Sequence, residues 1–235
     1  MHGFTQTRHC WGPLADDLAA DHEVVHVDAP GHGDSAGVAA GLWEGAELLA
    51  EVAGGATYVG YSMGGRLALH VALAAPDAVR GLVLLSATAG IDDAEARAQR
   101  MADDEARAQE LERDGVEAFV ERWLAQPMFA AVPAQYCFVD ARRSNTVAGL
   151  ASSLRLAGTG SQEPLWDRLA TLAMPVLVVA GGDDARFADA ARRLVASIGG
   201  NAELELVPGA GHAAHLEDPA RCAAVLRRWL AAHGL

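Results

Sequence analysis

The sequence predicts an α/β protein, a doubly wound and mostly parallel sheet carrying an inserted helical lid. Three observations carry that expectation. Short runs rich in β-branched residues alternate with helical patterns, the rhythm of a βαβ sheet. Those runs are apolar nearly throughout, as strands covered on both faces are. One stretch, residues 87–174, breaks the rhythm and is far longer than an ordinary strand–helix connection.

Taken in chain order, a helix is expected at Trp11–Ala20 and a strand at Glu23–Asp28 (EVVHVD), closed by the Pro- and Gly-rich turn DAPGHGDS. A helix at Leu42–Ala53 leads to a strand at Ala56–Tyr61, a helix at Ser62–Ala75 and a strand at Val79–Leu85. The insertion opens with an Ala-, Glu- and Arg-rich helix at Asp92–Arg113, whose charges suit a solvated face. Further helices are expected at Val116–Ala125, Pro133–Arg143 and Thr146–Ala157. The alternation resumes with a strand at Pro175–Ala180, a helix at Ala185–Ile198, a strand at Ala202–Val207 and a final helix at Pro219–Ala232. The expected division is a core of residues 1–88 and 164–235 with a lid of residues 89–163. A chain of 235 residues suits one such domain, given a prior of roughly 150 residues each.

Composition narrows the chemistry. All 18 basic residues are arginine against 31 acidic ones, for a formal net charge of −13. Without lysine there is no Schiff-base amine, no P-loop lysine and no Ser-x-x-Lys centre. The acidic balance makes nucleic acid and anionic membrane surfaces poor partners. The 3 cysteines, Cys10, Cys137 and Cys222, lie far apart without metal-ligand spacing, which fits a reducing compartment. No apolar run is long enough to span a bilayer, and no secretory signal pattern is present, so the cytoplasm is the expected location. No cofactor or metal is expected.

Gly60-Tyr61-Ser62-Met63-Gly64 is a G-x-S-x-G pattern standing between an expected strand and an expected helix. A serine on such a turn is held in strained backbone, the glycines allow close approach, and the helix aims N–H groups at developing charge. The serine needs a base and an orienting acid, which this arrangement supplies in the chain order Ser, Asp, His. The strand at Pro175–Ala180 ends in Gly181-Gly182-Asp183-Asp184, and the last strand leads to Pro208-Gly209-Ala210-Gly211-His212. Ser62, Asp184 and His212 are therefore the expected catalytic residues, with Asp183 the competing acid and His215 the competing base. His32 and His70 read as turn and core residues. His2-Gly3-Phe4 would, after a strand, place the Phe4 amide beside that of Met63 as an oxyanion hole.

HGF, DAPGHGDS, GYSMGG, GGDD and PGAGH, in that order, resemble the α/β-hydrolase superfamily along nearly the whole chain. HGFTQTRHCW, GYSMGGR, WLAQPMF, RRSNT, DDARF and GAGHAAHLEDP together are similar to the MenH family of menaquinone biosynthesis. That resemblance implies a lyase in which Ser62, activated by His212, removes a ring proton and pyruvate departs. It implies a small anionic carboxylate substrate, held by Arg66, Arg100 (or Arg97) and Arg143, with Tyr61 and Trp123 lining the pocket. Arginine suits the task because its planar fork pairs bidentately with carboxylate. The competing reading is a carboxylesterase or thioesterase working through an acyl-Ser62. A third follows from the superfamily's strands before HGF: a core lacking its opening strands, and so a non-catalytic module.

Overall fold

In the computed structural model, which describes residues Met1–Leu235, the elements run α1 (Pro13–Leu18), α2 (Leu42–Ala53), β1 (Ala56–Tyr61), α3 (Met63–Ala74), β2 (Val79–Leu85), α4 (Ala94–Leu124), α5 (Val139–Arg143), α6 (Val147–Ala157), β3 (Val176–Gly181), α7 (Ala185–Ile198), β4 (Ala202–Val207), α8 (Ala214–Glu217) and α9 (Pro219–His233). The four strands form one parallel sheet in chain order. Tyr61 lies opposite Leu85, Leu85 opposite Val179, and Gly181 opposite Val207. This register brings the carboxyl ends of all four strands to one edge, where the candidate site residues follow.

Alternation along the strands builds two cores. Leu82, Leu84, Val176, Val178 and Ala180 face one way, against Leu49 of α2, Leu67 of α3 and Leu194 of α7. Val83, Leu85, Leu177 and Val179 face the other way, against Leu14 of α1 and Leu226 and Trp229 of α9. A sheet covered on both faces explains why these runs read as continuously apolar.

Between β2 and β3 the chain is helical. Asp93 caps α4 by accepting the Ala96 N–H at 2.7 Å. The helices expected at Asp92–Arg113 and Val116–Ala125 join end to end at Gly115, whose φ of 81° breaks the helical path. α4 and α6 pack through Leu111, Phe119, Leu150 and Leu154.

Two expected elements differ. The helix at Pro133–Arg143 is a short 3-10 turn at Ala134–Tyr136 and then α5, because Phe138 between them adopts a left-handed φ of 50°. The segment Glu23–Asp28 is extended but belongs to no ladder. Val24 and Val27 do pack towards opposite cores, as strand residues would. β1, however, is met on that side only by Met1, whose carbonyl accepts the Tyr61 N–H at 3.0 Å. Strand propensity becomes a strand only against a paired neighbour, so Val25 stands 61% exposed.

Candidate active site

Ser62 sits between β1 and α3 with φ 53° and ψ −111°, a left-handed conformation that a residue with a side chain rarely adopts. Two close approaches hold it there. A Cβ at position 60 would run into the Gly64 carbonyl, and one at position 64 into the Met1 carbonyl. Only glycine fits either place. The Ser62 N–H donates to Leu85 O at 2.8 Å, so the turn is anchored to the neighbouring strand.

The Ser62 hydroxyl donates to His212 Nε2 at 3.2 Å, and His212 Nδ1–H donates to Asp184 Oδ2 at 3.1 Å. His212 is 2% exposed, with its ring against Phe187 at 4.4 Å and Tyr61 at 5.4 Å between centroids. Burial pushes the Asp184 carboxyl up, but the hydrogen bonds from His212 and the Phe187 N–H outweigh it, and the acid stays below its usual range. It is thus ionised and able to hold the imidazole in the tautomer that accepts from Ser62. Asp183 is exposed and stands outside this chain of bonds. The His215 ring lies tilted against Tyr61, 4.3 Å between centroids, and is pushed down to about 3 by burial and the charge of His212, so it remains neutral packing. His32 and His70 are buried too, each held by a backbone carbonyl, of Pro30 and Arg66 respectively.

The Phe4 and Met63 amides have no acceptor within the protein, and both residues line the cavity over Ser62. Several bonds fix the loop that carries Phe4. His2 accepts the Ala29 N–H at 3.1 Å, Gly3 N–H donates to Gln6 at 2.8 Å, and Thr5 is held at φ 66°. Arg142 donates to the Thr5 hydroxyl and to Phe4 O, and Asn145 Nδ2 donates to Thr5 O at 2.8 Å. The Arg-Ser-Asn motif of the insertion therefore grips the loop at the start of the chain. Asp28, from the DAPGHGDS turn, braces the same region by accepting the Arg8 and Asp34 N–H groups at 2.7 and 3.1 Å.

Arginine dominates the cavity's charge: Arg66, Arg100, Arg107, Arg142 and Arg186 line it against the single carboxylate of Asp104. Arg66 is 6% exposed and donates to the neutral Gln162 at 3.3 Å. Burial, and next the charge of Arg100, lower it to about 10, still cationic at neutral pH. Arg100 and Arg107 share Asp104 Oδ1, at 2.9 and 3.3 Å. Tyr61 and Trp123 also line the cavity, and the Trp123 Nε1–H is buried without an acceptor.

One expected ligand is misplaced. Arg143 lies outside the cavity and pairs with Glu117 at 3.4 Å, whereas its neighbour Arg142 is 3% exposed and faces the site. Five residues of helix in α5 leave no periodicity from which to tell the inward arginine from the outward one. Arg97 also stays out, donating to the Ile91 carbonyl at 2.9 Å. Arg107 could have been found by its spacing from Arg100 and Asp104 on one helix face.

A strand-to-helix serine, a buried histidine and an ionised acid at the ends of parallel strands define an α/β-hydrolase enzyme. The chain belongs to that family, whose sequence model, described as the alpha/beta hydrolase family, matches residues 1–225. It is 35% identical over 93% of its length to a Bacillus subtilis (strain 168) protein provisionally named 2-succinyl-6-hydroxy-2,4-cyclohexadiene-1-carboxylate synthase, covering 84% of that protein. A Serratia proteamaculans (strain 568) protein of the same synthase name is 32% identical, with 98% of this chain and 91% of that one aligned. Among solved structures, MenH from S. aureus superposes with a TM-score of 0.93 at 29% identity, over 100% of this chain and 93% of that chain. An esterase from Thermogutta terrifontis, at 24% identity and a TM-score of 0.79, shares the fold. No helix is long and apolar enough to cross a membrane.

Proposed function

We propose that this chain converts 2-succinyl-5-enolpyruvyl-6-hydroxy-3-cyclohexene-1-carboxylate to 2-succinyl-6-hydroxy-2,4-cyclohexadiene-1-carboxylate with release of pyruvate. The observation that carries the reading is Arg66, a buried cation paired only with a neutral amide and opening onto the cavity of Ser62. Asp104 lies nearby but is bonded by Arg100 and Arg107, so Arg66 has no bonded counter-ion, a costly state for a buried charge, and in a chain of net charge −13 such a cation is retained to meet an anion. A simple ester presents no carboxylate for the arginines of this cavity to hold; this substrate carries three. The relatives' shared synthase name points the same way.

Each residue then has a step. His212 accepts the Ser62 proton while ionised Asp184 holds the imidazole and stabilises its charge. The Ser62 oxygen removes the proton from the ring carbon bearing the succinyl group, which is acidified by the adjacent ketone. The Phe4 and Met63 amides donate to the enolate oxygen formed there. The electron pair returns through the ring double bond, breaks the C–O bond to the enolpyruvyl group, and leaves the diene. The departing pyruvate enolate takes up the proton held on His212, while Ser62 keeps the one it removed from the ring, so the triad ends as it began. Residues 89–163 act as the lid over this chemistry, and residues 1–88 and 164–235 as its core.

Purified protein should release pyruvate from the cyclohexene substrate, read by a coupled lactate dehydrogenase assay, and turn over p-nitrophenyl acetate poorly. Ser62→Ala should lose about 10³-fold or more in kcat. A second reading rests on the same triad and free amides, which serve acyl transfer equally: a carboxylesterase or thioesterase with an acyl-Ser62. Fast ester turnover without pyruvate release would establish that reading instead. A Ser62→Ala protein as active as the parent would point to a non-catalytic module.

A further inference from the structure

Arg186 has no place in the mechanism above, yet it breaks two local rules. It lies in the first turn of α7, a helix of 14 residues whose first turn holds no acid beyond the Asp184 cap. The amino end of a helix carries partial positive charge, so a cation there is disfavoured. It is also exposed and makes neither a hydrogen bond nor an ion pair; its guanidinium rests over the Phe187 ring at 5.6 Å, and its charge acts on Asp184 without bonding it. Other arginines of the same helix are partnered: Arg192 by Asp189 at 2.7 Å and Arg193 by Asp92 at 2.5 Å. An exposed side chain that still lines the cavity stands at its rim. It does so on Phe187, whose ring packs on the catalytic His212 at 4.4 Å.

The other cations of the cavity fall into two groups. Arg66, Arg100 and Arg107 stand together around Asp104, while Arg142 stands at the loop of Phe4 and Thr5. Two carboxylates of a substrate are thereby accounted for. We propose that Arg186 is a third carboxylate site, a specificity-determining residue at the rim that makes the cavity select a tricarboxylate over a dicarboxylate. This rests on the lyase reading for the identity of the substrate, but not for the class of ligand. The local penalty at the helix end is then relieved when the anion arrives, since one carboxylate meets both the guanidinium and the end of the helix.

The test compares the parent protein with Arg186→Ala, Arg186→Lys and Arg80→Ala. Arg80 is another exposed arginine, on β2 and away from the cavity, and controls for net charge. With the cyclohexene substrate, Arg186→Ala should raise KM about tenfold, the scale of one charge-assisted hydrogen bond, with kcat within about twofold. Arg186→Lys should recover most of the loss, and Arg80→Ala should match the parent. An unchanged KM in Arg186→Ala, or a fall in kcat alone, overturns the proposal. Calorimetric titration with propane-1,2,3-tricarboxylate and with glutarate reads the same site without turnover. The parent should prefer the tricarboxylate and Arg186→Ala should lose that preference; no preference, or one the variant keeps, overturns the proposal. A parent that releases no pyruvate but shows the Arg186-dependent preference refutes the lyase reading alone.

Discussion

Asp184 carries two duties on one carboxylate: Oδ1 accepts the Phe187 N–H at 3.2 Å and so caps α7, while Oδ2 receives His212 at 3.1 Å. Asparagine can keep the cap but offers an N–H where His212 needs an acceptor. Asp184→Asn should therefore fold with a near-parental melting temperature and lose about 10³–10⁴-fold in kcat. Asp183→Asn, altering an exposed carboxylate, should leave kcat within about twofold; equal losses in the two variants would reassign the acid. The adjacent arginines of α5 make a second contrast. Arg142→Ala should lower kcat/KM about 10²-fold, since it faces the cavity and holds Thr5, whereas Arg143→Ala removes one exposed ion pair and should change kcat/KM less than twofold. The serine and histidine were legible in the sequence because their glycine-rich turns are local and their chain order is restrictive. The choice between Arg142 and Arg143 was not, because it depends on the roll of a short helix against a loop at the other end of the chain.

Asn145 shows what the helical insertion does as an element. Its Nδ2 donates to Thr5 O and Arg142 O, at 2.8 and 2.9 Å, and its Oδ1 accepts the Gly33 N–H at 2.8 Å. One amide thus ties the insertion to the loop of Phe4 and to the DAPGHGDS turn at once. Asn145→Ala would leave the Gly33 N–H and the Thr5 carbonyl without these partners, a cost of about 1–3 kcal/mol for each group that stays buried. The expected result is a lower unfolding midpoint and a kcat that falls more than KM rises, because the Phe4 amide loses its fixed position. Thermal melts and steady-state kinetics on one preparation would check this, and unchanged kcat would separate the insertion from the loop of Phe4. Such ties are invisible along the chain, where Asn145 and Thr5 are 140 positions apart. Elements defined by their own residues were legible: β1 to β4, α3, α7 and the two halves of α4 each carry their own pattern, and Asp93 and Asp184 cap α4 and α7. Glu23–Asp28 has the strand pattern too, but a ladder is a property of two segments, and its apolar alternation says nothing of whether a neighbour is there.

Protonation couples these parts across the whole molecule. His32 and His70 are lowered to about 4 and His215 to about 3, in every case first by burial. An unfolded chain binds protons on these imidazoles near pH 6.5, where the folded protein still refuses them. Stability is therefore full above about pH 6.5 and declines as pH falls towards the folded values. At pH 5 each imidazole lies roughly 1.5 units below its unfolded pKa, a loss of about 2 kcal/mol apiece. Together they remove about 6 kcal/mol, comparable to the 5–15 kcal/mol that holds a typical domain folded. The melting temperature should accordingly drop steeply between pH 6.5 and 5. His70→Gln keeps a donor for Arg66 O without the titration, and should move the acid unfolding midpoint down by roughly half a unit. Asp184 is held below its usual range and stays ionised throughout that window. The acid transition is read by circular dichroism; a melting temperature unchanged from pH 7 to 5 would show that these histidines are not held neutral by burial.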